Sequence, residues 1–334
     1  MRPLCYLPGL LLTCAASAGH AQSGPAKPAW KPSKTIEIIV QSAAGGSSDR
    51  SARVTQKILQ GLPGFPGVSV NNKPGAGGMM AWHSLNQHVG DAHFIATLST
   101  TVLTNHLLGL SPLSYRHFTP LAILLREYPV FVTRIDSPIT SARDLVERLR
   151  KDPSSVSFAY ATARGNHNHV MIGLLVKAAG GDPRKAKAIV YNAGGEATTA
   201  ALGGHVDVGV VAPANVLPLL AAGKIRVIGI AAPERQGGAF ANAPTLREQG
   251  VNAVYFSWRG FMGPKGMSPA QAAFWDQAFA QMVKAPEWKQ DVERNAWAQD
   301  YMTSKQTLRH LESETDVLQK LLLELGVFAR GTSI

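Results

Sequence analysis

The residues that most constrain this chain are "IIVQSAAGGSSDRSARVTQKIL", positions 38 to 59, where a strand meets a helix across a bare loop. Ile36 to Val40 is a continuous apolar-biased run, the pattern of a buried strand. The helix that follows puts Ala52, Thr55, Leu59 and Leu62 on one face, at i, i+3, i+7 and i+10. Between them the loop carries only small residues, with no Lys, no Cys and no Gly-Lys-Ser/Thr ending. The first N–H groups of a helix lack intrahelical partners and lie at the positive end of its dipole. Glycine and alanine let a small anion approach that backbone without steric conflict. Such a junction is suited to holding a carboxylate, not to attacking one. Asp49 falls in the first helical turn, where its charge is stabilised and where it can cap its own helix.

The junction recurs along the chain. "VSVNNKPGAGGMMA" reads as a strand into a second glycine turn, and "HFIATLSTTVLTN" as a strand ending in small hydroxyls. "VSFAYATARGNHNHVMIGLLVKAAGG" repeats the opening pattern of strand, small loop and helix. "AIVYNAGGEATTAALGGHVDVGVV" adds a strand, a Gly-Gly turn, a short helix and another strand. Ser141 is a plausible N-cap for "ARDLVERLRK", which stops before Pro153. Alternating strands and helices argue for α/β layers around a largely parallel sheet. At 334 residues, two domains are expected. "PLAILLREYPVFVT" is extended and long enough to cross between them. The predicted division is residues 35–129 plus 232–334 in one lobe and 130–231 in the other. Pro129 to Thr133 and Val227 to Ala231 are then the hinge strands. The two halves echo each other in architecture rather than in sequence.

The N-terminus reads as an export signal. "MRPLCYLPGLLLTCAASAGHAQ" has one Arg, an apolar run from Leu4 to Leu12 and a small-residue end, with cleavage expected after Ala21. Cys14 raises a lipid anchor, but Thr13 is a poor residue before a lipidated cysteine. Residues 22–34, "QSGPAKPAWKPSK", form a Pro-rich leader without periodicity, expected to be disordered. Both cysteines, Cys5 and Cys14, lie inside the signal, so the exported chain has no disulfide, thiol nucleophile or cysteine metal site. The whole chain carries a net +11, and loss of Arg2 leaves +10, a field that favours anionic ligands. Nucleic acid is excluded as a partner, since there is no basic run and no aromatic-basic stripe.

Enzyme motifs are missing. No Gly-x-Ser-x-Gly elbow activates Ser47 or Ser48, and "PGAGGMM" fits neither dinucleotide nor P-loop spacing. His167 and His169 lack the cysteine or carboxylate company of a metal site, and no cofactor is expected. Trp258, Phe261 and Trp275 read as core or interlobe packing. The C-terminal helix lines up Leu308, Leu311, Leu318, Leu322 and Leu325, a seam expected to pack on its own lobe.

"TIEIIVQSAAGGSSDRSAR" and "VSVNNKPGAGG" resemble signatures of the periplasmic receptors of tripartite tricarboxylate transporters, the Bug family. "FTPLAIL", "SPITSARDLV", "DPSSVSFAYA", "ALGGHVDVGV", "AAGKIRVIGIAAPER", "APTLREQG" and "WRGFMGPKGMSPA" follow in the family's order. The resemblance runs from about residue 35 to 326. It implies a two-lobed periplasmic binding protein fold, type II-like, with hinge strands and a cleft holding a small organic carboxylate through backbone N–H groups and water. It implies no catalysis, and as partner a membrane permease of the tripartite type, with the receptor a monomer. Alternatives are a binding protein feeding a sensor kinase and an exported hydrolase.

Carried over from the family, the contact loops are Ser42, Ala43, Ala44, Gly45, Gly46, Ser47, Ser48 and Asp49, then Gly75, Ala76 and Gly77, then Ser99 and Thr100. The second lobe would add Thr162, Ala163, Arg164 and Gly165 with His169, then Asn192, Gly194 and Gly195. Asp207 matches an acidic position that would shape the cleft floor. This chain departs from the family in three places. Gln41-Ser42 replace Pro-Phe, "YATARGNHNH" is longer and less glycine-rich, and Ala92 replaces a Gly. Arg164 is the cation that such a departure could aim at a second carboxylate.

Overall fold

The computed structural model describes residues 30–327. The signal segment, Cys5, Cys14 and the leader up to residue 29 lie outside the described residues. The leader's end does not fit the expected disorder: Trp30 packs edge-on against His93 and Phe274, with ring centres 5.3 and 5.1 Å apart.

In chain order the first part comprises β1 (Ile36–Val40), α1 (Ser47–Gly61), β2 (Val68–Asn72), α2 (Met79–Asn86), β3 (Phe94–Ser99), α3 (Thr101–Leu107) and β4 (Phe118–Glu127). Next come β5 (Val130–Arg134), α4 (Ala142–Lys151), β6 (Ser157–Ala161), α5 (His167–Ala178), β7 (Lys187–Tyr191), α6 (Gly194–Leu202), β8 (Val208–Val211), α7 (Leu217–Ala221) and β9 (Ile225–Ile230). The chain closes with β10 (Ser257–Pro264), α8 (Pro269–Met282), α9 (Pro286–Arg294), β11 (Ala298–Met302) and α10 (Ser304–Glu324).

These strands form two sheets, ordered β11-β4-β10-β3-β1-β2 and β7-β6-β8-β5-β9. Each sheet is mixed, not largely parallel. In the first, β1 runs parallel to β2 and β3, while β10 and β11 return antiparallel. In the second, β6 runs parallel to β7 and β8, while β5 is antiparallel to β8 and β9. The expected junctions are where the periodicity placed them. Ala52, Thr55 and Leu59 of α1 are fully buried, and the Ser141 hydroxyl caps α4 by accepting from the Asp144 N–H at 3.1 Å.

The chain crosses between sheets once at Tyr128-Pro129. The return crossing differs from expectation. Residues 232–253 still pack on the second sheet: Phe240 is buried beside Val130 and Val132, and Gln249 accepts from the Ala142 N–H at 2.8 Å. β9 therefore does not cross, and the return lies at Tyr255–Ser257. There the Tyr255 N–H donates to Ala231, whose own N–H donates to Pro129, stitching the two crossings together.

The C-terminal helix also departs from expectation. α10 begins on the first sheet, where the Thr307 hydroxyl accepts from the Ile123 N–H. It ends on the second lobe, with Leu325 against Gly173 of α5 and Glu324 paired to Lys177 at 2.6 Å. Leu311, Leu318, Leu322 and Leu325 are buried, but Leu308 is exposed and not part of the seam. Trp258, Phe261 and Trp275 are all fully buried in the core.

Candidate functional site

In open α/β sheets ligands sit beyond the carboxyl ends of parallel strands. Here β1, β2 and β3, parallel within the first sheet, and β6, β7 and β8, parallel within the second, all send their following loops to one cavity of about 350 Å³. That volume lies at the lower end of the small-molecule range.

From the first lobe the lining is Gln41, Ser42, Ala43, Gly46, Ser47 and Ser48, then Pro74 to Gly78, then Ser99 and Thr101. The second lobe gives Ala161, Thr162, His167 and Asn168, then Asn192, Ala193 and Gly194, then Ala212 and Asn215. Gly46 begins α1 and Ala193 begins α6, and neither helix start has a side-chain cap. Their leading N–H groups stay available to an anion between the lobes. Gly194 lies against the Asn215 side chain, since a Cβ there would lie 2.0 Å from Asn215 Nδ2 and force it to move. Thr162 holds a positive φ of 81°, rare for a β-branched residue. Its N–H donates to Tyr191 and its hydroxyl accepts from Asn166, which together hold that conformation.

Several predicted residues support the cavity without lining it. Asp49 is buried below its loop, accepting from the Gly45 N–H at 2.8 Å, Arg53 at 3.0 Å and Asn72 at 2.8 Å. Burial raises its pKa, but these hydrogen bonds outweigh burial and hold it below the ordinary value. His169 does the same in the second lobe: its Nδ1 accepts from the Gly165 N–H at 2.9 Å while its ring stacks on Tyr160. Burial, then the charge of Arg164, lowers the His169 pKa to about 4, so the acceptor is a neutral imidazole. The two junctions thus share one device, a glycine at φ 79° whose N–H is held by the side chain four residues on.

Other predicted positions fall outside. Ala44 and Gly45 are exposed at the outer tip of their loop, Thr100 is buried behind Ser99 and Thr101, and Gly195 is exposed in the first turn of α6. Ala163 and Gly165 meet the opposite lobe instead of the cavity: a Cβ on Gly77 would lie 3.2 Å from Ala163, and one on Gly165 2.5 Å from Leu108. Arg164 is exposed and absent from the lining. Asp207 is exposed at the start of β8, the end away from the cavity. There it accepts from the Ser157 N–H and hydroxyl at 2.7 and 2.6 Å, tying β6 to β8 rather than shaping a cleft floor.

Sequence reading missed Gln41, His167, Asn168, Asn215 and Arg259. Gln41 donates to Ser99 at 2.5 Å and accepts from Trp82, so it fixes a hydroxyl of the lining. His167 is held well below its ordinary pKa by burial, then by the nearby Arg259, and is neutral. Arg259 is the charged lining residue, 8% exposed, and pairs through Nη2 with the buried Glu127 at 2.5 Å. A lone Arg in the apolar run "YFSWRGF" was its sequence signal, since a buried charge requires a partner.

A family model described as the tripartite tricarboxylate transporter family receptor matches residues 52–327. The chain belongs to this receptor family. Among the receptor's relatives, BugT of Bordetella pertussis is 29% identical over 259 residues, covering 76% of this chain and 77% of BugT. Two solved structures from Rhodopseudomonas palustris share the fold. Rpa4515 with adipate has a TM-score of 0.80 at 20% identity, covering 88% of this chain and 98% of that one. MatC with bound malate has a TM-score of 0.72 at 22% identity, covering 89% and 99%. The receptor therefore has the two-lobed periplasmic binding protein fold. No helix among the described residues is long and apolar enough to cross a membrane.

Proposed function

We propose that this receptor works in the periplasm, captures a small organic carboxylate between its lobes, and presents it to a permease of the tripartite tricarboxylate type. The observation that carries this reading is the convergence of six strand-end loops on one cavity, with uncapped helix starts among them at Gly46 and Ala193. Hydrogen bonds to a charged group contribute about 1.5–3 kcal/mol each. Four or five of them, after ordering costs, supply roughly the 8 kcal/mol of a micromolar complex. The adipate and malate of two structural relatives agree with this ligand class. The signal-like N-terminus supports export, and the receptor acts as a monomer.

The test is a thermal-shift panel of mono-, di- and tricarboxylates with mass spectrometry of the bound compound. At least one carboxylate raises the melting temperature and is recovered unchanged. Its turnover, or no response from any carboxylate, overturns the reading.

A further inference from the structure

Every lining residue but one belongs to the six strand-end loops. Arg259 comes instead from β10, an antiparallel strand, and stands opposite Ser99 in register. It is also the charged member of the lining, nine-tenths buried, with its Nε lacking any partner. Its Nη2 is held by Glu127, itself 1% exposed, whose Oε2 is unpartnered. The guanidinium is thus fixed by one edge and incompletely used.

Further charges surround this pair. Arg50, with a buried and unpartnered Nη1, interacts with both Glu127 and Asp49, while Arg53 pairs with Asp49. Arg53 is half exposed, so inside the site Arg259 and Arg50 face Glu127 and Asp49, two charges of each sign. His167 adds none, because burial keeps it neutral. A buried guanidinium N–H without a partner is costly unless an acceptor completes it. The helix starts at Gly46 and Ala193 already offer N–H groups to one carboxylate. Arg259 offers a second, separate anion seat, with planar N–H donors matched to a carboxylate.

Resting on the receptor reading above, we propose that Arg259 is the specificity-determining residue of the cavity and that the ligand is a dicarboxylate. One carboxylate sits on the strand-end loops and the other on the Arg259 guanidinium. Glu127 is a positioning residue that holds the fork against β10 and keeps it from collapsing onto the first carboxylate.

The experiment is calorimetric titration of the intact receptor with malate and with linear dicarboxylates from malonate to adipate. Each linear diacid is paired with the monocarboxylate of equal chain length. At least one diacid binds the unmodified receptor at least roughly tenfold more tightly than its monoacid, the scale of one charged hydrogen bond. Arg259→Lys, which keeps the charge beside Glu127 but loses the fork, reduces that preference. The double variant Arg259→Gln, Glu127→Gln brings diacid affinity down to that of the monoacid. Equal binding of diacid and monoacid by the unmodified receptor overturns the Arg259 assignment alone, whether or not the variants fold. A preference that survives in a folded double variant overturns it too. If no carboxylate binds the unmodified receptor, the receptor reading falls and this assignment falls with it.

Discussion

At the scale of single residues, the site depends on side chains that never face the cavity. Asp49 and His169 each restrain a glycine N–H so that the rest of the loop turns inward. His169 can do so only while neutral, and its pKa of about 4 lies below the 6.5 of a free imidazole. A depressed folded pKa gives stability that is present above pH 6.5 and lost as pH falls towards 4. His169→Gln keeps an acceptor for the Gly165 N–H but does not titrate. In urea unfolding between pH 6.5 and 4, its stability should fall less steeply than that of the unmodified protein, by about one proton, or ~1.4 kcal/mol per pH unit. An unchanged slope would mean that His169 is protonated in the native state. The same reasoning predicts a local binding defect at Gly194. A methyl there displaces Asn215 from the lining, so Gly194→Ala should lose at least roughly tenfold in carboxylate affinity by calorimetry. Its melting temperature should fall only slightly, because α6 otherwise tolerates alanine.

At the scale of elements, the strand-loop-helix units could be read from the sequence because their signal is local. Periodicity named β1 and α1, and glycine with small polar residues marked the loops. What escaped depends on contacts between distant segments. Whether β10 runs antiparallel between β3 and β4 is not encoded in "SWRGFMGP", so Arg259 looked like an interruption in a core strand. Likewise the leucines of α10 announce a buried stripe without naming the surface that buries it. That helix meets the return crossing at Glu314, which accepts from the Tyr255 hydroxyl at 3.2 Å. Burial, outweighing this hydrogen bond, raises the Glu314 pKa to about 6. A raised folded pKa leaves stability intact below about pH 4.5 and removes it as pH climbs through 6. Glu314→Gln should therefore stabilise the receptor by on the order of 1–2 kcal/mol at pH 8 and by nothing at pH 4, in denaturant titrations at the two pH values. Stabilisation at both would assign the effect to packing instead.

At the scale of the whole molecule, two stitched crossings and one shared helix join the lobes. The Gly77 and Ala163 loops already approach across the seam, as do Leu108 and Gly165. Ligand that touches loops from both lobes favours this closed arrangement over any opened one. Hydrogen exchange should therefore slow together at residues 43–48 and 162–168 when adipate or another bound carboxylate is added, and small-angle scattering should report a smaller radius. Slowing in one lobe alone would show that the cavity is not shared. α10 limits the motion, since wide opening must pull Leu325 from its place on Gly173 or bend the helix.

The reliance on main-chain donors also bears on how such a protein changes over generations. A substitution replaces a side chain but leaves the peptide N–H in place, so the proposed grip on a first carboxylate yields only to changes that shift a loop or its neighbours, as at Gly194. Apart from small residues, the polar side chains of the lining are few: Gln41, His167, Asn168, Asn192, Asn215 and Arg259. A duplicated copy can therefore exchange one cargo for another in a handful of codon changes. Each intermediate along that path still holds an acid.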